Sequence, residues 1–208
     1  AVESLRKVMA LLDQGKPARS ALPQFTAADA ETIRPLNLLT SKPVMYVANV
    51  SESQAAKGQG PYVDVVRKIA QSEQAVVVPI CGSIESQIAA LETDQERAEF
   101  LAAEGLSEPG LHRLIRAGYD LLGLITFFTV GEKEDRAWTI RRGSTAPQAA
   151  GKIHSDMERG FIRAEVIGYD DFLACKSEAA ARETGKLRVE GKEYVVRDGD
   201  LMHFRFSV

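Results

Sequence analysis

The sequence predicts an α/β protein in which a helical arm leads into part of a parallel sheet, followed by a small ubiquitin-like β-grasp. Three observations predict it. Residues 41–123 alternate apolar strand-like runs with helical stretches, and that order calls for parallel pairing through right-handed crossovers. Residues 124–208 change to two strands, a helix and three more strands. Residues 1–40 show helical spacing without a strand-like run.

In the arm, Val2, Leu5, Val8, Met9 and Leu12 recur at helical spacing to about Asp13, and Gln14-Gly15-Lys16-Pro17-Ala18 breaks the helix. The first helix has no cap before it, so the chain reads as a fragment of something longer. Thr26 followed by Asp29 has the form of a capping box, opening a helix expected to run through Ala30, Ile33 and Leu36–Leu39. Strand 43–48 follows, then a Ser-, Gly- and Gln-rich loop over 49–61. Helix 62–73 is expected to turn Val63, Val66, Ile69 and Ala70 inward. Strand 75–80, loop 81–83, helix 84–91 with an acidic extension over 92–104, and helix 111–122 complete this part. Two strands cannot by themselves make a parallel sheet covered on both faces, so further strands belong upstream or come from another copy through the open edge.

Beyond residue 123, Ile125–Val130 and Arg136–Arg141 form a hairpin about Gly131-Glu132-Lys133-Glu134-Asp135. Thr145 and Pro147 open a helix over Ala146–His154. Strand 161–167, a helical piece over 169–184, the runs Leu187–Val189 and Tyr194–Val196, and a last strand over Leu201–Phe206 follow.

Composition narrows the functional classes. The 208 residues carry a net charge of −3, with 45% apolar and 26% charged residues, so no general pull toward nucleic acid or acidic membranes is expected. The longest apolar run, Leu121–Phe128, falls well short of a membrane span, and no signal peptide is apparent. Cys81 and Cys175 lie far apart, and neither they nor His112, His154 and His203 have metal-ligand spacing. Both cysteines read as core fillers in a reduced, cytoplasmic protein.

The most informative motif is Lys42-Pro43-Val44-Met45-Tyr46-Val47-Ala48-Asn49-Val50-Ser51-Glu52, an apolar strand ending in Asn-x-x-Glu. About thirty residues later Val76-Val77-Val78-Pro79-Ile80 ends in Cys81-Gly82-Ser83. Two parallel strands that stop in small polar loops present them at the carboxyl edge, where α/β sheets bind ligands. In GTPases the loops Asn-Lys-x-Asp and Ser-Ala-Lys grip the nucleotide base at such a place. Glu52 stands where those proteins have Asp. The competing reading makes Asn49 a turn residue bonding its own backbone and Glu52 a solvated or helix-starting residue. No Gly-x-x-x-x-Gly-Lys-Ser/Thr phosphate loop occurs in the 208 residues.

Longer stretches carry a resemblance. They are Leu38–Glu52, Glu108–Tyr119, Arg136–Ile140 with Thr145–Ala150, Ile153–Ala164 and Lys192–Asp200. Through them the chain resembles the YchF/Obg-like ATPases over essentially its whole length. The resemblance implies a returning part of a helical coiled-coil arm over 1–40, the C-terminal part of a P-loop nucleotide-binding domain over 41–122 and a TGS (β-grasp) domain over 123–208. It implies a ribosome-associated parent that binds ATP in preference to GTP and hydrolyses it with magnesium. The phosphate loop and magnesium-binding switch residues of that family have no counterpart here, so no catalytic or metal residue is assigned and the fragment is expected to be inactive alone.

By that resemblance Asn49 approaches N7 and the amino group of adenine, the backbone of Val50 takes part, Glu52 shapes the loop, and Cys81, Gly82 and Ser83 border the base. An Asp carboxylate accepts from guanine N1–H and the 2-amino group, donors that adenine lacks. From Arg136 to Arg163, the six basic residues Arg136, Arg141, Arg142, Lys152, Arg159 and Arg163 stand against only Asp156 and Glu158, while residues 164–208 hold seven basic and nine acidic, so one side is basic and compatible with ribosomal RNA. Ordinary charge scatter explains that excess nearly as well. His154 reads as an RNA contact or a helix-end histidine, and Trp138 as core or a stacking platform. The alternative function is a non-catalytic RNA- or protein-binding module acting through the TGS domain.

Overall fold

The computed structural model describes residues 2–131 and 134–207, with backbone alone for 22–24, and divides into two units, residues 1–121 and 122–208. The turn expected at Gly131–Asp135 includes Glu132 and Lys133, which lie outside the described residues. Among the described residues no helix is long and apolar enough to cross a membrane.

The first unit opens with α1 (Val2–Asp13), a 3₁₀ segment at Ala18–Gln24 and α2 (Ala27–Ile33). Val8, Ala18 and Ile33 bury against one another with Leu5, Phe25 and Leu38 around them, while Val2, Met9 and Leu12 stay exposed. The capping box at Thr26 and Asp29 is complete. Asp29 also accepts a hydrogen bond from the Ser4 hydroxyl of α1. That bond and those from the Thr26 backbone and hydroxyl hold the Asp29 carboxyl at about 2, well below the usual range. The expected helix through Leu39 is interrupted. Pro35 lacks an amide donor, the chain makes one 3₁₀ turn at Arg34–Leu36, and Asn37 takes φ +47° before a second turn at Leu39–Ser41.

The arm meets the sheet at a polar joint. Arg19 Nη2 lies 2.6 Å from Glu73 Oε2, and the Tyr46 hydroxyl donates to the same oxygen at 3.0 Å. Arg19 and Tyr46 hold the Glu73 carboxyl below its ordinary range, and Glu73 pushes the Tyr46 hydroxyl up.

β1 (Met45–Asn49) and β2 (Val76–Ile80) pair in parallel, from Met45 opposite Val76 to Asn49 opposite Ile80. Between them lie α3 (Glu52–Ala55), a single turn inside the expected loop, and α4 (Pro61–Glu73). Val63 and Ala70 of α4 are buried, but Ile69 is 47% exposed. Six positions at 100° put Ile69 well off the Val63 face, in a stripe with Tyr62 and Val65 that is also exposed. α5 (Gly82–Ala90) ends at extended Leu91, and the expected acidic extension is a separate helix, α6 (Asp94–Ala103). The reciprocal bonds of Thr93 and Glu96 start it anew. α7 (Gly110–Leu122) closes the unit. Its first turn is capped from outside, since Glu85 of α5 accepts from Gly110 N at 2.7 Å and Leu111 N at 3.1 Å. Val50, Ala55, Val63, Cys81, Ile84, Ile88 and Leu101 form the core.

The second unit is a five-stranded sheet in the order β4-β3-β7-β5-β6. β3 (Leu124–Thr129) and β4 (Arg136–Arg141) form the antiparallel hairpin, and β7 (Leu201–Phe206) joins β3 in parallel. β5 (Phe161–Ile167) runs antiparallel to both β7 and β6 (Arg188–Glu190). This is the β-grasp order. α8 (Ala146–Ile153) crosses the sheet, and Ala146, Ala149 and Ala150 let it approach the core built on Phe127, Val166 and Phe204. α9 (Ser155–Arg159) is an unexpected short helix. The helical piece at 169–184 divides into α10 (Tyr169–Cys175) and α11 (Glu178–Glu183) because Lys176 takes φ +63°. Tyr194–Val196 joins no ladder beyond one bridge from Val195 to Thr145. The segment is tied down instead by Asp200, only 2% exposed, which accepts from the Tyr194 hydroxyl at 2.7 Å and Arg197 N at 2.8 Å.

Two glycines of α7 have opposite sensitivities. A Cβ at Gly110 would lie 2.8 Å from Glu85 Oε1 and 2.9 Å from Ile80 Cγ1, whereas one at Gly118 meets nothing within 4 Å. Gly110→Ala is expected to cost about 1–3 kcal/mol and Gly118→Ala to gain about 0.5–1 kcal/mol in urea denaturation of the chain. Asp29 gives a pH signature. Its folded pKa of about 2 lies below the unfolded value near 3.9, so its contribution is full above about pH 4 and lost as pH falls toward 2. Ser4→Ala is expected to raise the Asp29 pKa in a carbon-13 carboxyl titration and to reduce that acid-side loss.

Candidate functional site

The parallel register brings both strand tips to one edge. Val50 N donates to Ile80 O at 2.9 Å, carrying the pairing one residue past β1. From that level the two loops are bonded to each other. Asn49 Oδ1 accepts from Gly82 N at 3.1 Å, so the Asn49 side chain bridges the strands rather than closing a turn on its own backbone. With Oδ1 facing an N–H, the Asn49 amide group is left to offer its two donors elsewhere. Glu52 starts α3, and its Oε1 accepts from the Ser83 hydroxyl at 2.5 Å. Gln87, one turn beyond Ser83 on α5, brings Nε2 to 3.4 Å from the same carboxylate oxygen.

These groups surround an open cavity of about 500 Å³ lined by Asn49, Val50, Ser51, Glu52, Ser53, Cys81 and Ser83. Val50 and Cys81 are buried and contribute apolar floor, while hydroxyl, amide and carboxylate groups form the rim. Every residue singled out at the two strand tips is therefore in one place. Gln87 is the participant that sequence reasoning missed. Its only signal is the spacing of four from Ser83, which puts both on one face of a helix.

Among the described residues no group of three His, Cys, Asp or Glu side chains stands close enough to hold an ion.

The six basic residues from Arg136 to Arg163 divide. Arg141, Arg142 and Lys152 line a shallow basin of about 620 Å³ with Thr139, Ser144 and Gln148. Arg136 instead lies over the Trp138 ring at 4.3 Å, Arg159 pairs with Asp156, and Arg163 sits on β5 opposite Arg205. Trp138 is half-buried, stacked on Phe127 at 6.5 Å and donating to Thr129 Oγ1, so its ring is a core element. His154 is a helix-end residue, its Nδ1 accepting from Asp156 N at 3.2 Å.

Comparison with known proteins agrees with this architecture. Residues 124–207 match the family YchF-GTPase_C, described as a protein of unknown function. A ribosome-binding ATPase YchF of Pasteurella multocida is 53% identical over 204 residues, 98% of this chain and 55% of that protein. The Bacillus subtilis protein of that name is 52% identical over 207 residues, 99% of this chain and 56% of its own length. The solved Schizosaccharomyces pombe YchF GTPase superposes with a TM-score of 0.84 at 35% identity, covering 98% of this chain and 53% of that one. By fold, then, this is a mixed α/β protein built as the YchF GTPase is built. The chain belongs to the YchF family. It spans about half the length of the curated relatives it matches.

Proposed function

We propose that the chain is the base-reading part of a YchF-type ATPase, joined to a ribosome-facing TGS domain, and that the whole protein binds ATP in preference to GTP. The observation that carries this reading is the cavity at the carboxyl ends of β1 and β2, where Asn49 and Ser83 stand together. Asn49 would donate its amide hydrogens to purine N7. Val50 and Cys81 would give the base an apolar floor, and Gly82 would hold Asn49 in orientation. The relatives are named ribosome-binding ATPases and the solved homologue a GTPase, so the base itself is the open chemical question.

Phosphoryl transfer depends on positioning the phosphates and magnesium, which neutralises the charge that develops there. With no phosphate-loop sequence among its residues, this chain alone is proposed to contribute to binding and not to hydrolysis. The proposed setting is the cytoplasm, with ribosomal RNA as the partner. A basin bearing Arg141, Arg142 and Lys152 supports the RNA reading and also favours the second one, a module whose role is RNA binding alone.

In the full-length protein carrying this sequence, nucleotide titration is expected to show ATP bound more tightly than GTP, and equal affinities would end the base reading. Asn49→Ala is expected to weaken both nucleotides about tenfold, one hydrogen-bonding group having been lost from the purine. For the RNA contact, the double substitution Arg141→Glu and Lys152→Glu is expected to reduce ribosome co-sedimentation. It should also flatten the dependence of log affinity on log salt by about 1.5, the slope of two phosphate contacts. Arg159→Glu, removing a cation already paired with Asp156, should do much less.

A further inference from the structure

We infer that Ser83 and Gln87 of α5 determine the nucleotide preference by engaging the Glu52 carboxylate at the cavity rim; this rests on the base-site reading above. The arrangement is a three-residue cluster between the loops. Glu52 Oε1 accepts from the Ser83 hydroxyl at 2.5 Å, Gln87 Nε2 lies 3.4 Å from that same oxygen, and Gln87 Nε2 lies 3.4 Å from Ser83 Oγ. Ser83 and Gln87 are one helical turn apart, so their polar ends reach the carboxylate from a single face of α5. The first turn of that helix is itself fixed by Gly82 N–H on Asn49 Oδ1, which sets where Ser83 stands.

Guanine is distinguished from adenine by two donors on one edge, N1–H and the 2-amino group, and reading them takes an acceptor pair such as an open carboxylate. Here one oxygen of Glu52, the only carboxylate among the described residues lining the cavity, is already engaged by a hydroxyl and approached by an amide. A guanine in this site would have to share Oε1 with Ser83 and Gln87 or displace them, and both outcomes disfavour it. Adenine has no 2-amino group, and its N1 is an acceptor, so it makes no demand on that carboxylate. Length matters too. The additional methylene of Glu over Asp lets the carboxylate reach across to α5 at all. Ser83 and Gln87 are thus positioning residues, acting on the base through Glu52.

The test is competitive titration of the full-length protein carrying this sequence with fluorescent ATP and GTP analogues, wild type against the double substitution Ser83→Ala and Gln87→Ala. Release of the carboxylate is expected to lower the ATP-over-GTP ratio about tenfold, through tighter GTP binding more than weaker ATP binding. Ser83→Thr, which keeps the hydroxyl, is expected to retain the wild-type ratio. A wild type that prefers ATP, with a double variant whose ratio is unchanged, overturns the inference and leaves the base reading standing. Equal weakening of both nucleotides in the double variant overturns it as well, because the cluster would then be structural. A wild type without preference removes the base reading and this inference together.

Discussion

Parallel pairing of β1 with β2 is the constraint on which the rest of the first unit depends. Because Asn49 stands opposite Ile80, both strands stop at the same level and the chain leaves each on the same side of the sheet. The following residues then fall within reach of each other, Asn49 of Gly82 and Glu52 of Ser83. Each such bond contributes only about 1 kcal/mol net to stability. Their greater effect is to fix two loops that would otherwise be ordered at the expense of ligand binding.

What could be read in the sequence was what local chemistry decides. The apolar runs of β1, β2, β3 and β5, the helical periodicity of α4 and α7, and the capping boxes at Thr26 and Thr145 are all written in neighbouring residues. Elements set by distant partners were not legible. Tyr194–Val196 has a strand's composition, but the buried Asp200 carboxylate fixes it as a loop. The left-handed turns at Asn37 and Lys176 divide stretches whose composition is helical throughout. At the strand tips, the Asn-x-x-Glu pattern and the Cys-Gly-Ser run named residues that the fold brings together. The direction of the Glu52 side chain could not be read, because α5 decides it. Between Arg136 and Arg163, counting charge gave six basic residues, but only the fold shows that Trp138 and Asp156 occupy Arg136 and Arg159.

The first unit also displays apolar surface of a particular kind. Val47 and Val76 are exposed on the two strands, Tyr62, Val65 and Ile69 along α4, and Leu111, Ile115 and Leu122 along α7. Among the described residues β1 and β2 pair only with each other. Parallel sheets elsewhere are covered on both faces and extended at their edges. The exposed stripes lie at helical spacing, so they form continuous bands rather than scattered side chains. Longer YchF proteins, of which this chain covers about half, have sequence available to cover such bands.

The joint of Arg19, Glu73 and Tyr46 has a mechanical consequence. One carboxylate oxygen is shared by the Arg19 guanidinium and a phenol from β1, in the last turn of α4. Arg19 Nε is buried there without a hydrogen-bond partner among the described residues. Swinging the arm would therefore either drag Glu73 with it or strip the strand's phenol of its acceptor.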